Sequence, residues 1–104
     1  MYITVFVTTS NPVEAENISK KIIENKLAAC VSIVRDITSI YTWKNKIERS
    51  SECLLIIKTL EEKYSELEKT IIENHSYEIP EIISVKINTG YERYLNWIFE
   101  SVKG

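Results

Sequence analysis

Glycine is almost missing from this chain of 104 residues, which has only Gly90 and Gly104. Without a Gly-rich loop there is no Walker-type or dinucleotide-binding phosphate cradle. Histidine is limited to His75 and proline to Pro12 and Pro80. Neither a CxxC nor an HxxxH pair occurs, so spacing alone cannot close a strong metal site within one chain. Basic charge is not in excess. A net charge of −2 gives no electrostatic reason to expect nucleic acid or an anionic membrane as partner. The opening MYITVFVTTSNP lacks the basic and apolar regions of a signal peptide and is too short to span a bilayer. A cytoplasmic protein is the expectation.

What is present reads as one domain over residues 1–104. The apolar content of 44% and charged content of 27% are ordinary for a globular chain of this size. Tyr2 to Thr9 is β-branched and aromatic, a strand signature. Asn11 is placed to cap a helix that starts at Pro12, with Glu14 in its first turn. Ala15, Ile18 and Ile22 fall on one helical face, predicting a helix from 12 to about 26. Two long strand-forming stretches follow, LAACVSIVRDITSIYTW and IERSSECLLIIKT, and Lys44-Asn45 is a plausible tight turn between them. A second helix is expected over LEEKYSELEKTIIENH, with Leu60, Tyr64, Leu67 and Ile71 as its stripe. EIISVKIN reads as a last strand, and YERYLNWIFESVK as a final helix. The order β-α-β-β-α-β plus a C-terminal helix predicts an α+β, ferredoxin-like domain, an antiparallel sheet with its helices on one face.

A turn at Lys44-Asn45 makes paired positions sum to about 89 and puts Cys30 opposite Thr59 and Cys53 opposite Asp36. The two thiols then lie about 20 Å apart, too far for a disulfide. Two separate thiols fit a reducing compartment.

Each hairpin arm would run roughly 45 Å, against roughly 22 Å for the first helix. The overhanging part carries Ile37, Ile40, Tyr41, Trp43 and Ile47. So much apolar surface on a bare ribbon calls for burial against another subunit, and a homo-oligomer is expected.

KLAACVSI, SIYTWKNKIE, ECLLIIKT, HSYEIPEII and YLNW occur in the order and spacing of the CutA divalent-cation tolerance proteins, which the chain resembles over about residues 2–100. The resemblance implies a cytoplasmic homotrimer related in architecture to the PII signalling proteins, with the long hairpins packed edge to edge. It also implies a role in tolerance of divalent metals, copper above all. Copper(II) or another divalent cation would be bound by the cysteine of the AAC stretch, here Cys30, and by groups in the clefts between subunits. KNK stands where the family commonly has KGK, a change confined to the turn because Asn tolerates the left-handed conformation.

Beside Cys30, the metal candidates are His75 and Glu81, an imidazole and a carboxylate in the connection that holds Pro80. Each has a plainer reading. Cys30 can be a small strand residue, and His75 can close the second helix where a cation suits the dipole. Tyr77 and Glu78 join the cleft candidates. Lys58 and Thr59, ending the third strand, are expected near the same connection. Tyr41 and Trp43 are more simply interface aromatics than ligand platforms.

An RNA-recognition module shares the element order, but CLLIIK is aliphatic where stacking rings should stand. An acylphosphatase would need an arginine after the first strand, and a heavy-metal-associated domain a CxxC there; TTSNPVE has neither. No Ser-His-Asp or Cys-His spacing supports catalysis, so a non-enzyme with no organic cofactor is expected. The alternative to a metal-binding trimer is a PII-like sensor that takes an anionic small molecule in the same clefts through Lys58 and backbone amides.

Overall fold

The computed structural model describes residues 1–104. Strand β1 (Tyr2–Thr9) leads into helix α1 (Pro12–Glu24), followed by β2 (Cys30–Trp43) and β3 (Lys46–Leu60). A 3-10 turn (Glu61–Lys63) precedes α2 (Tyr64–Asn74), and β4 (Ile82–Lys86) and α3 (Glu92–Val102) complete the chain. The four strands form one antiparallel sheet in the order β2-β3-β1-β4, the ferredoxin-like arrangement.

Local chemistry accounts for the element ends. Asn11 Oδ1 accepts the Glu14 N–H at 2.9 Å, which caps α1, and Pro12 occupies the position where no amide donor is needed. Lys44 and Asn45 both take positive φ, 50° and 66°, as a two-residue hairpin turn requires.

Alternation along the strands separates two faces. Ile3, Val5 and Val7 of β1 pair with Thr59, Ile57 and Leu55 of β3, and this face is sealed by Ala15, Ile18 and Ile22 of α1 and Leu67 and Ile71 of α2. The third helix departs from the expected one-sided layering. Ile98 and Val102 of α3 pack with Leu60, Tyr2, Ala29 and Leu95 in a separate cluster. Tyr2 and Leu60 are paired neighbours one step out of phase with Ile3 and Thr59, so α3 covers one end of the opposite face. Leu60 thus belongs to this second cluster and not to the α2 stripe.

The hairpin register holds as expected from Trp43–Lys46 to Ile37–Glu52 and then slips by one residue, so that Cys30 faces Lys58 instead of Thr59. The cause is a bulge between Val34 and Ile37, where Arg35 and Asp36 oppose a single residue and Asp36 takes a φ of 59°. The long axis of the molecule is 44 Å, close to the roughly 45 Å expected for a hairpin arm. Beyond the bulge β2 and β3 continue as a two-stranded ribbon, since the β1–β3 pairing ends at Thr9–Cys53.

Candidate functional site

The connection from α2 to β4 folds over the end of β1 and is held by three sets of hydrogen bonds. His75 Nε2 lies 2.7 Å from the Thr8 carbonyl, and its Nδ1 accepts the Tyr77 N–H at 3.1 Å. Those roles suit the Nε2–H tautomer and occupy both ring nitrogens. Glu14, at the start of α1, spans the gap to the connection. Its Oε1 accepts the Ser10 N–H at 2.9 Å and the Ser10 hydroxyl at 3.0 Å, and its Oε2 accepts the Ser76 N–H at 2.7 Å. Burial raises the Glu14 pKa, but these hydrogen bonds outweigh it and hold the carboxyl below its ordinary value. The Tyr77 hydroxyl donates to Glu52 Oε2 at 2.6 Å, which ties the connection to β3. Burial first, then that bond and the Glu52 charge, keep the Tyr77 phenol protonated far above the usual range.

Between this connection and the ribbon lies a cleft of about 790 Å³. Tyr41 and Trp43 line it from β2, Glu52 from β3, and Tyr77, Glu78 and Glu81 from the connection. The structure therefore brings together Glu81 with the cleft candidates Tyr77 and Glu78, and adds the expected interface aromatics Tyr41 and Trp43. Sequence reading missed Glu52, which sits at a strand position that looks solvated but is only 6% exposed. No Lys or Arg lines the cleft, so an anionic ligand would meet three carboxylates there.

Other expected members lie elsewhere. Lys58 pairs with Thr4 and Cys30, about four residues along the sheet from the Thr8 that holds His75, or ~13 Å at strand rise. The expectation that Lys58 and Thr59 stand beside the connection is corrected by the path of α2, which starts where β3 ends and runs back along the sheet. Thr59 is fully buried, with its hydroxyl donating to the Leu27 carbonyl at 2.7 Å.

Cys30 is half-buried on β2, an edge strand, with Sγ 3.8 Å from Ser32 Oγ. Tyr94 of α3 adjoins the thiol: burial, and then the Cys30 group, raise the phenol pKa. Cys53 is buried in the core, and both cysteines are free. Cys30, His75 and Glu81 do not converge within one chain, and no three such groups cluster closely enough to hold a metal ion. Of the interface candidates, Ile37 and Trp43 are half-buried, whereas Ile40, Tyr41 and Ile47 are exposed, Ile47 at 82%.

Comparison with known proteins places this geometry. Residues 3–101 match the family model described as CutA1 divalent ion tolerance protein. The divalent-cation tolerance protein CutA of Archaeoglobus fulgidus is 39% identical over 103 residues, covering 99% of this chain and 100% of that one. A CutA homolog of Xenopus laevis is 43% identical over 97 residues, 93% of this chain. The chain spans 64% of that relative's length and 56% of that of the chloroplastic CutA of Arabidopsis thaliana. The solved divalent cation tolerance protein of Thermus thermophilus superposes with a TM-score of 0.96 at 35% identity, covering 99% of this chain and 100% of that one. The chain belongs to the CutA1 divalent ion tolerance protein family.

Proposed function

We propose that this chain acts as a homotrimeric, non-catalytic divalent-cation tolerance protein that binds copper(II) or a similar cation through donors assembled between subunits. One observation carries the reading: Cys30 lies on the sheet face opposite α1 and α2, at the margin of the part that α3 covers, where Tyr94 adjoins it. Cys30, Lys58 and Thr4 are paired across three strands, in phase with Phe6, Leu54, Ile56, Ile83 and Val85. Ile83 and Val85 remain 54% and 51% exposed. A continuous apolar sheet face of this kind favours burial against another copy, and the covering subunit would bring its own donors to the thiol. The names of the relatives support divalent-cation tolerance, and the count of three rests on the resemblance in sequence.

Cys30 is the first donor in this reading. Glu81 is the second, being exposed and free of any ion pair. His75 ranks after both, because it must first release Thr8 or Tyr77. The two unpaired thiols fit a reducing cytoplasm; the structure itself has no helix long and apolar enough to cross a membrane.

Native mass spectrometry with one equivalent of copper(II) per chain tests the proposal. A trimer that gains discrete copper ions, and loses them in Cys30→Ser, is the expected result. A monomer at micromolar concentration would refute the assembly. Copper uptake unchanged in Cys30→Ser, Glu81→Gln and His75→Ala alike would refute the donor set.

A further inference from the structure

The cleft between ribbon and connection holds a charge that the chain does not neutralise. Glu52 is 94% buried, yet its only hydrogen-bonding partner is the neutral Tyr77 hydroxyl, on Oε2. Its Oε1 accepts no bond from the chain and is not sealed from the cleft. No Lys or Arg pairs with it, since the ion pairs of the molecule are Arg35–Glu16, Lys86–Glu61 and Lys103–Glu100. A carboxylate oxygen that faces the cleft with no donor or counter-charge from the chain is open to a cation from outside it.

The surroundings define which cation fits. Glu78 and Glu81 line the same cleft, but the carboxylates do not converge on one point as a bare metal ion needs. The lining also carries the aromatic and aliphatic side chains Tyr41, Trp43, Tyr77 and Ile79, beside the hydroxyls of Thr8, Ser39, Thr42 and Ser76. Aromatic faces attract ammonium groups, and the Trp43 ring already has one beside it, Lys44 Nζ at 5.8 Å from its centroid. Carboxylates that share a cleft with aromatic and aliphatic side chains suit a molecule whose ammonium groups are joined by methylenes.

We infer that this cleft is a binding site for a free alkyl polyamine, with one ammonium on Glu52, others on Glu78 and Glu81, and the alkyl chain against Trp43 and Tyr77. The site shares Glu81 with the metal-binding proposal and takes Trp43 as a ligand platform instead of an interface aromatic, but it uses neither Cys30 nor His75 as a ligand.

Titration calorimetry of the intact protein with spermidine tests it, with oligomeric state followed by sedimentation. Saturable uptake of one spermidine per chain is expected. Glu52→Gln should weaken it at least tenfold and Trp43→Leu severalfold, with Cys30→Ser and the surface control Glu62→Gln unchanged. Spermidine should raise the melting midpoint of the unaltered protein but not of Glu52→Gln, a readout that holds even if the variant's own stability differs. Three results would overturn the proposal. One is no saturable heat at millimolar spermidine. Another is an equal loss in Glu62→Gln, or displacement by an equal concentration of magnesium, which would mark diffuse attraction to an acidic surface. The third is no uptake together with dissociation of the Glu52→Gln oligomer, which would assign the missing cation to a side chain of a second copy.

Discussion

The β2–β3 hairpin is one element with two environments. Below the bulge at Arg35–Asp36 it lies within the four-stranded sheet, where Leu55 and Ile57 are fully buried beneath α1 and α2. Above the bulge it is a ribbon of two strands, where Ile40 and Ile47 are 69% and 82% exposed. Both halves carry β-branched and apolar residues, although the upper arm of β3, KIERSSE, is largely polar. What differs is whether helices of the same chain reach them, and α1, with 13 residues, spans only ~20 Å of a 44 Å molecule. One half of the hairpin therefore stabilises the fold, and the other presents surface to partners and ligands.

Substitutions that shorten one side chain in each half would break this contrast if it is wrong. Leu55→Ala should cost about 3 kcal/mol in urea unfolding, as a fully buried leucine does. Ile47→Ala should stay within about 0.5 kcal/mol for the folding of the chain, since the removed atoms are already in water. Equal losses would mean that the ribbon is part of the folding core.

A smaller effect is expected from Thr59→Val, which keeps the shape but leaves the Leu27 carbonyl without its donor. About 1.5 kcal/mol should be lost in the same assay. Asn11→Ala removes the cap of α1, and about 1 kcal/mol is the expected loss.

The smallest effects are in pH dependence, and they probe the connection that closes the cleft. Glu14 has a folded-state pKa below its unfolded value of about 4.5, so its contribution is present above that value and is lost as pH falls through the depressed one. Glu14→Gln should flatten that acid limb in pH-dependent unfolding. Tyr77 has the opposite sign. Its raised pKa favours the fold below the ordinary phenol value of 10.0, and that contribution is lost as pH rises beyond it. Tyr77→Phe should remove this alkaline limb, together with the most alkaline phenol in a spectrophotometric titration.

The fold was largely legible because its signals are local and repeated. Helical spacing of Ala15, Ile18 and Ile22, the Asn11-Pro12 start and the Lys44-Asn45 turn each have one physical reading, and the structure agrees with all three. The one-residue slip at Cys30 was not legible, because nothing in VRDI compels a bulge; Asp36 merely tolerates the left-handed conformation it adopts. The cleft was half legible. Tyr77, Glu78 and Glu81 are consecutive or nearly so, and their polarity beside Pro80 marks a special connection. Glu52 was hidden because its burial depends on Tyr77 arriving from 25 positions away. Lys58 was misplaced for a related reason: strand and helix lengths, not adjacency in sequence, decide which end of the sheet a loop reaches.

The bulge has a consequence for how such a hairpin can change. It marks where the helix-facing pattern of β3 stops mattering, since Cys53 is the last residue of the ribbon's root to pair with β1. A residue added to each arm beyond Asp36 would leave Leu55, Ile57 and their partners in place, while extending the ribbon by ~3.3 Å. It would also turn every later side chain to the other face. Reach thus grows in single steps, while the chemistry displayed at a given height alternates with each one. Only additions of two residues per arm lengthen the ribbon and restore the faces that Tyr41 and Trp43 now present.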